Sequence, residues 1–301
     1  MLFTDKHGGM DFAKDPAVIR LGDTYFMYYT TYPNARELEE GANLMIGMAK
    51  STDMENWEIF GTMPLEQPCE KVGLAAPAAI VLDGVVHLFY QAHALSRNDA
   101  ICHATSTDGM NFVKDPSNPV FRPTDDWCCG RAIDADVCIF GDYLYMYFAT
   151  RDHAFQIQKV GGARARLDSG FSRGDWEQLT NQVILHPEMD WEMCCIEAPA
   201  TVVEDGKIYM FYAGAFNCSP QQIGCAVSED GILFRRVSNR PLLGPGPEGA
   251  WNHCESGHPY VFRDDDGRIH LFYQGSPDMG KNWYLSHGLI EIEDGMPRII
   301  T

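Results

Sequence analysis

One pattern recurs five times along the 301 residues: a small or acidic residue, often followed by Pro, then an apolar run, a turn containing Gly, and an aromatic run. The copies begin at Asp15 (DPAVIRLGDTYFMYY), Ala76 (APAAIVLDGVVHLFY), Asp134 (DADVCIFGDYLYMYF), Glu197 (EAPATVVEDGKIYMFY) and His258 (HPYVFRDDDGRIHLFY), about 60 residues apart. Self-similarity at so long and regular a period signals repeated supersecondary units, each too small to bury its apolar face alone. The chain is therefore read as a single domain over residues 1–301. The leading residue of each copy is its chemically variable part, as expected of a site built on a repeated scaffold.

Each copy reads as two strands joined by a tight hairpin. Gly beside Asp occupies every turn (Gly22-Asp23, Asp83-Gly84, Gly141-Asp142, Asp205-Gly206, Asp266-Gly267), the composition that positive-φ hairpin turns demand. A third strand follows in IGMAKSTDMENW (46–57), ICHATSTDGMNF (101–112) and IGCAVSEDGILF (223–234), each ending in a turn-forming Ser-x-Asp. A fourth, outer strand is expected near Asn56–Phe60 and Leu233–Val237. Units three and five diverge after their second strands. The expected fold is all-β: a five-bladed β-propeller of four-stranded blades. Units of this length are too long for common β-solenoids. Ring closure would gather Asp15, Asp134, Glu197 and His258 around one axial opening. The ends of the second strands (Tyr32, His93, Arg151, His153, Phe216, Asn217 and Gln274) should face the same opening.

The net charge of −19 and pI near 4.8 exclude a phosphate-backbone ligand, which needs a basic surface. No apolar stretch approaches a membrane span. The segment MLFTDKHGGM lacks the basic and apolar regions of a signal peptide, so a cytoplasmic chain is expected, although a trimmed secreted one would read the same. Ten cysteines fit reduced thiols. The pairs Cys128-Cys129 and Cys194-Cys195 lack zinc-site spacing and are read as packing.

Separated carboxylates around one opening suit glycoside hydrolysis, in which one activates water and the other protonates the leaving oxygen. A third acid can keep the donor protonated. Asp136 competes with Asp134 for this third place, because both would point to the same side of a strand; the repeat register favours Asp134. The blocks DPAVIRLGDTYFMYYT, AIDADVCIFGDYLYMYFA and IEAPATVVEDGKIYMFYAG resemble, in order and spacing, the signature blocks of glycoside hydrolase family 43 and its furanosidase-like clan. The resemblance implies Asp15 as general base, Asp134 as pKa modulator and orienter, and Glu197 as general acid of an inverting enzyme. Its substrates would be arabinofuranosyl or related pentosyl linkages in oligosaccharides. Gly257-His258 matches a pair whose His, in that family, holds a central metal ion, usually calcium, directly or through water. The other reading of His258 is a hydrogen-bonded core histidine. The chemistry itself requires no cofactor. Lys14 stands where the family usually has Arg.

Tyr32, His93, Arg151, His153, Phe216, Trp127 and Gln274 are the candidate sugar-binding residues. Trp127, like Trp191 and Trp251, is either a sugar platform or blade packing. Two rival functions remain. A glycoside phosphorylase would use a cationic group such as Arg131, Arg151 and His153; a non-catalytic sugar-binding propeller would leave the acid set without a task.

Overall fold

A computed structural model describes residues 1–92 and 97–300. Five antiparallel four-stranded sheets follow one another along the chain, over 14–62, 74–114, 133–178, 196–236 and 255–300. Their inner strands are Lys14–Leu21, Leu74–Leu82, Ile133–Phe140, Ile196–Glu204 and Glu255–Arg263. Adjacent inner strands pack against one another around the ring, and the last packs against the first. The chain is the five-bladed propeller that its repeat predicts. The divergent segments of units three and five still form third strands, Gln158–Arg166 and Tyr284–Glu293. The first outer strand sits two residues later than expected, at Glu58–Thr62, and the fourth is a short pair, Arg235–Arg236, inside the expected span. No helix among the described residues is long and apolar enough to cross a membrane.

The repeated residue types have repeated tasks. Ser51, Ser106 and Ser228 accept hydrogen bonds at Oγ from the amides two and three residues on, and the Asp of each Ser-x-Asp caps the next two amides. Tyrosines of the second strands reach into the next blade: Tyr28 Oη donates to the Gly109 carbonyl at 2.9 Å, and Tyr147 Oη to that of Gly231 at 2.8 Å. Three tryptophans each lie over a glycine. A Cβ on Gly161 would meet Trp127 at 2.4 Å, one on Gly214 would meet Trp191 at 2.3 Å, and one on Gly275 would meet Trp251 at 2.5 Å. Trp127 packs into blade 3, against Phe148 as well.

The inner strands break register at their starts, between Lys14 and Ala17, Ala75 and Ala78, Glu197 and Ala200, and Gly257 and Tyr260, with a matching shift opposite Ile133–Asp136. One residue at each break has left-handed backbone: Asp15 (φ 51°), Ala76 (44°), Asp134 (48°), Ala198 (47°) and His258 (40°). Pro follows in four of the five, where its missing N–H costs no ladder bond. The equivalent of Asp15 in blade 4 is thus Ala198, and the register expected for Glu197 is one residue off. Glu197 occupies the step before the bulge, shared with Lys14, Ala75, Ile133 and Gly257. The Ala198-Pro199 pair, matching Asp15-Pro16, is the signal that marks this.

The ring is closed by a segment that the repeat does not reveal. Phe3 and Leu285 exchange backbone hydrogen bonds at 2.9 and 2.8 Å, Trp283 donates to the Asp11 carbonyl at 2.9 Å, and Ala13 donates to the Trp283 carbonyl at 3.2 Å. Residues 3–13 thus run along blade 5 before entering blade 1. Overpacking a rigid indole costs about 1–3 kcal/mol. Gly214→Ala should therefore lower the urea midpoint of unfolding by that order, and Trp191→Leu in the same chain should restore part of the loss.

Candidate active site

The five bulge residues line a cavity of about 20 Å³ on the propeller axis, together with Pro16, Pro77, Pro199, Pro259, Asp136 and Tyr260. Left-handed backbone at non-glycine residues costs of order 1–3 kcal/mol each and persists only where the surroundings impose it. Here three of the five are the polar residues Asp15, Asp134 and His258.

His258 is the centre of the group. Its Nδ1 lies 2.7 Å from Asp15 Oδ1, a close ion-pair contact without hydrogen-bond alignment, and its Nε2 lies 3.2 Å from Glu197 Oε1. Burial opposes charge on the imidazole, but Asp15 and Glu197 outweigh it and hold the pKa of His258 well above that of an ordinary histidine. The ring is an imidazolium between two carboxylates. Burial likewise opposes ionisation of Asp15, yet His258 and Lys14 hold it well below the usual range. Glu197 is also lowered against its burial, by the His258 hydrogen bond and charge, Lys14 and Gln221. Asp134 has no such partner. Its Oδ2 makes no hydrogen bond, and burial, with Glu197 and Asp15 nearby and only partly offset by His258, pushes it up to about 7.

Glu197 is held on every side. Gln158 Nε2 donates to its Oε2, and Gln221 Nε2 donates to its Oε1 at 2.7 Å and to the Ala215 carbonyl at 3.0 Å. The orientation of the Gln158 amide follows from its other neighbours: Arg151 Nε at 2.6 Å and Arg131 Nη1 at 3.4 Å both reach its Oε1, and a guanidinium only donates. Gly257 is required here, because a Cβ would fall 1.8 Å from Gln221 Oε1. Gln158 and Gln221 were not legible as site residues, since neither occupies a repeated position.

The remaining expected residues divide. Arg151 lies beside the site, stacked on Phe216 at 5.1 Å. Gln274 is fully buried and occupied: it accepts from the Asp15 amide at 3.2 Å and donates to Glu255 at 2.8 Å and Asn217 at 3.1 Å. It braces the bulge and has no donor left for a sugar. His153 is exposed, with Nε2 3.1 Å from the Asp126 carbonyl. Tyr32 is half-buried against Phe12. His93 lies outside the described residues. Glu255, buried and with its pKa raised by that burial, is a further acid that the repeat did not mark.

Asp134, Glu197 and His258 each offer a ligand atom within 4.8 Å of the others. The two carboxylates suit a hard cation. The His258 ring, charged between two carboxylates, would have to give up a proton to serve as a ligand, so an ion here would compete with the His258 ion pairs.

Asp136 belongs to the wall between blades 3 and 4. Its Oδ2 accepts from the Thr201 amide at 2.7 Å and the Thr201 hydroxyl at 2.5 Å. Burial raises it to about 7 despite these bonds. A carboxyl with a raised pKa binds its proton more tightly in the folded chain. The resulting stability is complete below about pH 4 and is lost as pH rises through about 7, by about 1.4 kcal/mol for each unit of the shift. Asp136→Asn keeps the acceptor for Thr201 and removes the titration. Its urea midpoint should fall less between pH 5 and pH 8 than that of the parent.

Comparison with known proteins agrees with this fold. The family model described as Glycosyl hydrolases family 43 matches residues 10–290. Solved structures with the same fold include a thermostable family-43 glycoside hydrolase (TM-score 0.77, 21% identity, covering 99% of this chain and 95% of that one). An endo-1,4-beta-xylanase from Bacteroides thetaiotaomicron VPI-5482 superposes with TM-score 0.74 at 21% identity, over 96% and 94% of the two chains. An alpha-L-arabinofuranosidase from Lactobacillus brevis does so with TM-score 0.70 at 15% identity, over 95% and 93%. At these identities the likeness is one of fold. A curated relative, the beta-1,2-mannobiose phosphorylase of Thermoanaerobacter sp. (strain X514), is 31% identical over 121 residues, which span 35% of this chain and 38% of that enzyme. With the family model matching nearly its whole length, the chain belongs to glycosyl hydrolase family 43.

Proposed function

We propose that the protein is an exo-acting, inverting glycosidase that releases L-arabinofuranose or a related pentose from oligosaccharides. The observation that supports this best is the arrangement of Asp15 and Glu197 on opposite nitrogens of the His258 ring. A whole imidazole between two carboxylates favours the wider spacing of inverting enzymes, about 6.5–9.5 Å, over the about 5–5.5 Å of retaining ones. Asp15, kept ionised by His258 and Lys14, has the charge state a general base needs. It would take a proton from the attacking water.

Glu197 would protonate the leaving oxygen, and for this it must first be loaded. In the free protein its neighbours are all donors. The nearest proton is the one on His258 Nε2, already directed at Glu197 Oε1. A substrate oxygen accepting from Glu197 would draw that proton across and leave a neutral imidazole. Asp134, pushed up to about 7, would orient the sugar and limit the negative charge of the group. No metal enters these steps, and activity is expected to be insensitive to chelator.

A second reading, phosphorolysis, is favoured by the partial match to the mannobiose phosphorylase. Both readings are tested by a panel of nitrophenyl glycosides assayed with and without phosphate and EDTA, with the anomer of the first product read by ¹H NMR. Hydrolysis with inversion, independent of phosphate, is the expected result; product that appears only with phosphate overturns it. Asp15→Ala and Glu197→Ala should each lower kcat at least about 100-fold while the circular dichroism spectrum shows the fold retained. Full turnover in either variant would remove that residue from the assignment.

A further inference from the structure

Beside the acid group lies a cluster of cations that the reading above does not use. Three guanidinium groups surround one ring: the Cζ atoms of Arg97, Arg131 and Arg151 lie 4.8, 5.6 and 4.8 Å from the centroid of Phe155. Phe155 is itself held in left-handed backbone, φ 65°, with its amide donating to the Asp152 carbonyl at 3.0 Å. Cation–π contact holds each arginine on the ring, but it also brings like charges together. Among the described residues only Arg131 of the three is in an ion pair, with Asp99 at 2.9 Å. Arg97 donates to the His153 carbonyl at 3.1 Å, and Arg151 to neutral Gln158 and, at 3.4 Å, to the Phe155 carbonyl. In a chain of net charge −19, three arginines sharing one carboxylate beside the acid group form a receptor for an oxyanion, which guanidinium groups bind through charge-assisted forks.

Position narrows the ligand. The cluster joins the acid group through Gln158, whose Oε1 faces Arg151 and Arg131 and whose Nε2 faces Glu197. The cluster thus adjoins Glu197, and among the described residues no contact joins it to Asp15, whose partners are His258 and Gln274. In an inverting reaction the nucleophile enters on the side of the base, and the leaving group departs on the side of the acid. A phosphate nucleophile would belong near Asp15, where the neighbouring cation is Lys14. We infer that Arg97, Arg131 and Arg151 form an oxyanion subsite on the leaving-group side, and that it takes the carboxylate of an acidic sugar, a uronic acid unit. This placement rests on the roles proposed above for Asp15 and Glu197.

The test is calorimetric titration of the full chain carrying Asp15→Asn, separately with glucuronate, glucose and inorganic phosphate at low ionic strength. Glucuronate should bind at least about tenfold more tightly than glucose, with an affinity that falls as salt is added. Arg97→Gln, at an exposed position, should weaken glucuronate about tenfold and leave glucose unchanged, and Arg151→Gln should weaken glucuronate at least as much. Equal affinity for glucuronate and glucose, or no effect of either substitution, overturns the subsite. Tighter binding of phosphate than of glucuronate, lost in the same variants, overturns the acidic-sugar assignment in favour of phosphate. Because binding is read without turnover, these outcomes are separate from any failure of the glycosidase assignment, which would appear as retained activity in Asp15→Ala or Glu197→Ala.

Discussion

The site depends on one backbone event repeated five times, the left-handed residue that opens each inner strand. In a regular strand alternate side chains point to opposite faces. A single bulge re-aims a side chain and ends the pairing locally. Repeated around a closed ring, it turns five positions far apart in sequence toward one axis. Three of them bear Asp15, Asp134 and His258, and the other two are alanines, which leave room. The fourth polar group, Glu197, enters from the step before the bulge and sets its carboxylate against the imidazole.

The electrostatics follow from that placement. Three buried carboxyls so close would repel if all were charged. His258 resolves this by dividing its attraction between two of them: Asp15 and Glu197 ionise, and Asp134, which the ring does not bond, carries the raised pKa. Gln158 and Gln221 then fix the orientation of Glu197 with neutral amides, so the arginines influence it without neutralising it.

The fold was legible in the sequence because the repeat is long, regular and punctuated by Gly-Asp turns. The acids were legible because they head the copies. Glu197 was found with its register one residue off, since the copy begins one step early and only Pro199 marks the true bulge. Position alone misled for Gln274, a glutamine at a strand end that reads as a site residue until its saturated amide is seen. Gln158, Gln221 and the Phe155 cluster had no repeated position to mark them. Their importance comes from contacts between blades, which local pattern does not encode.

The closure of the ring has a kinetic meaning. Asp15 stands in the first blade and His258 in the last, and the segment 3–13 that bonds to blade 5 links residues about 280 positions apart. Contacts of such separation form late, because loop entropy must be overcome before they add stability. Blades 1 to 4 can each pair their own strands during synthesis, yet the imidazolium that organises the acids arrives only with the fifth. A nascent chain with four blades would thus hold Asp15, Asp134 and Glu197 without their cation, and the charge balance of the centre would be among the last native features to form.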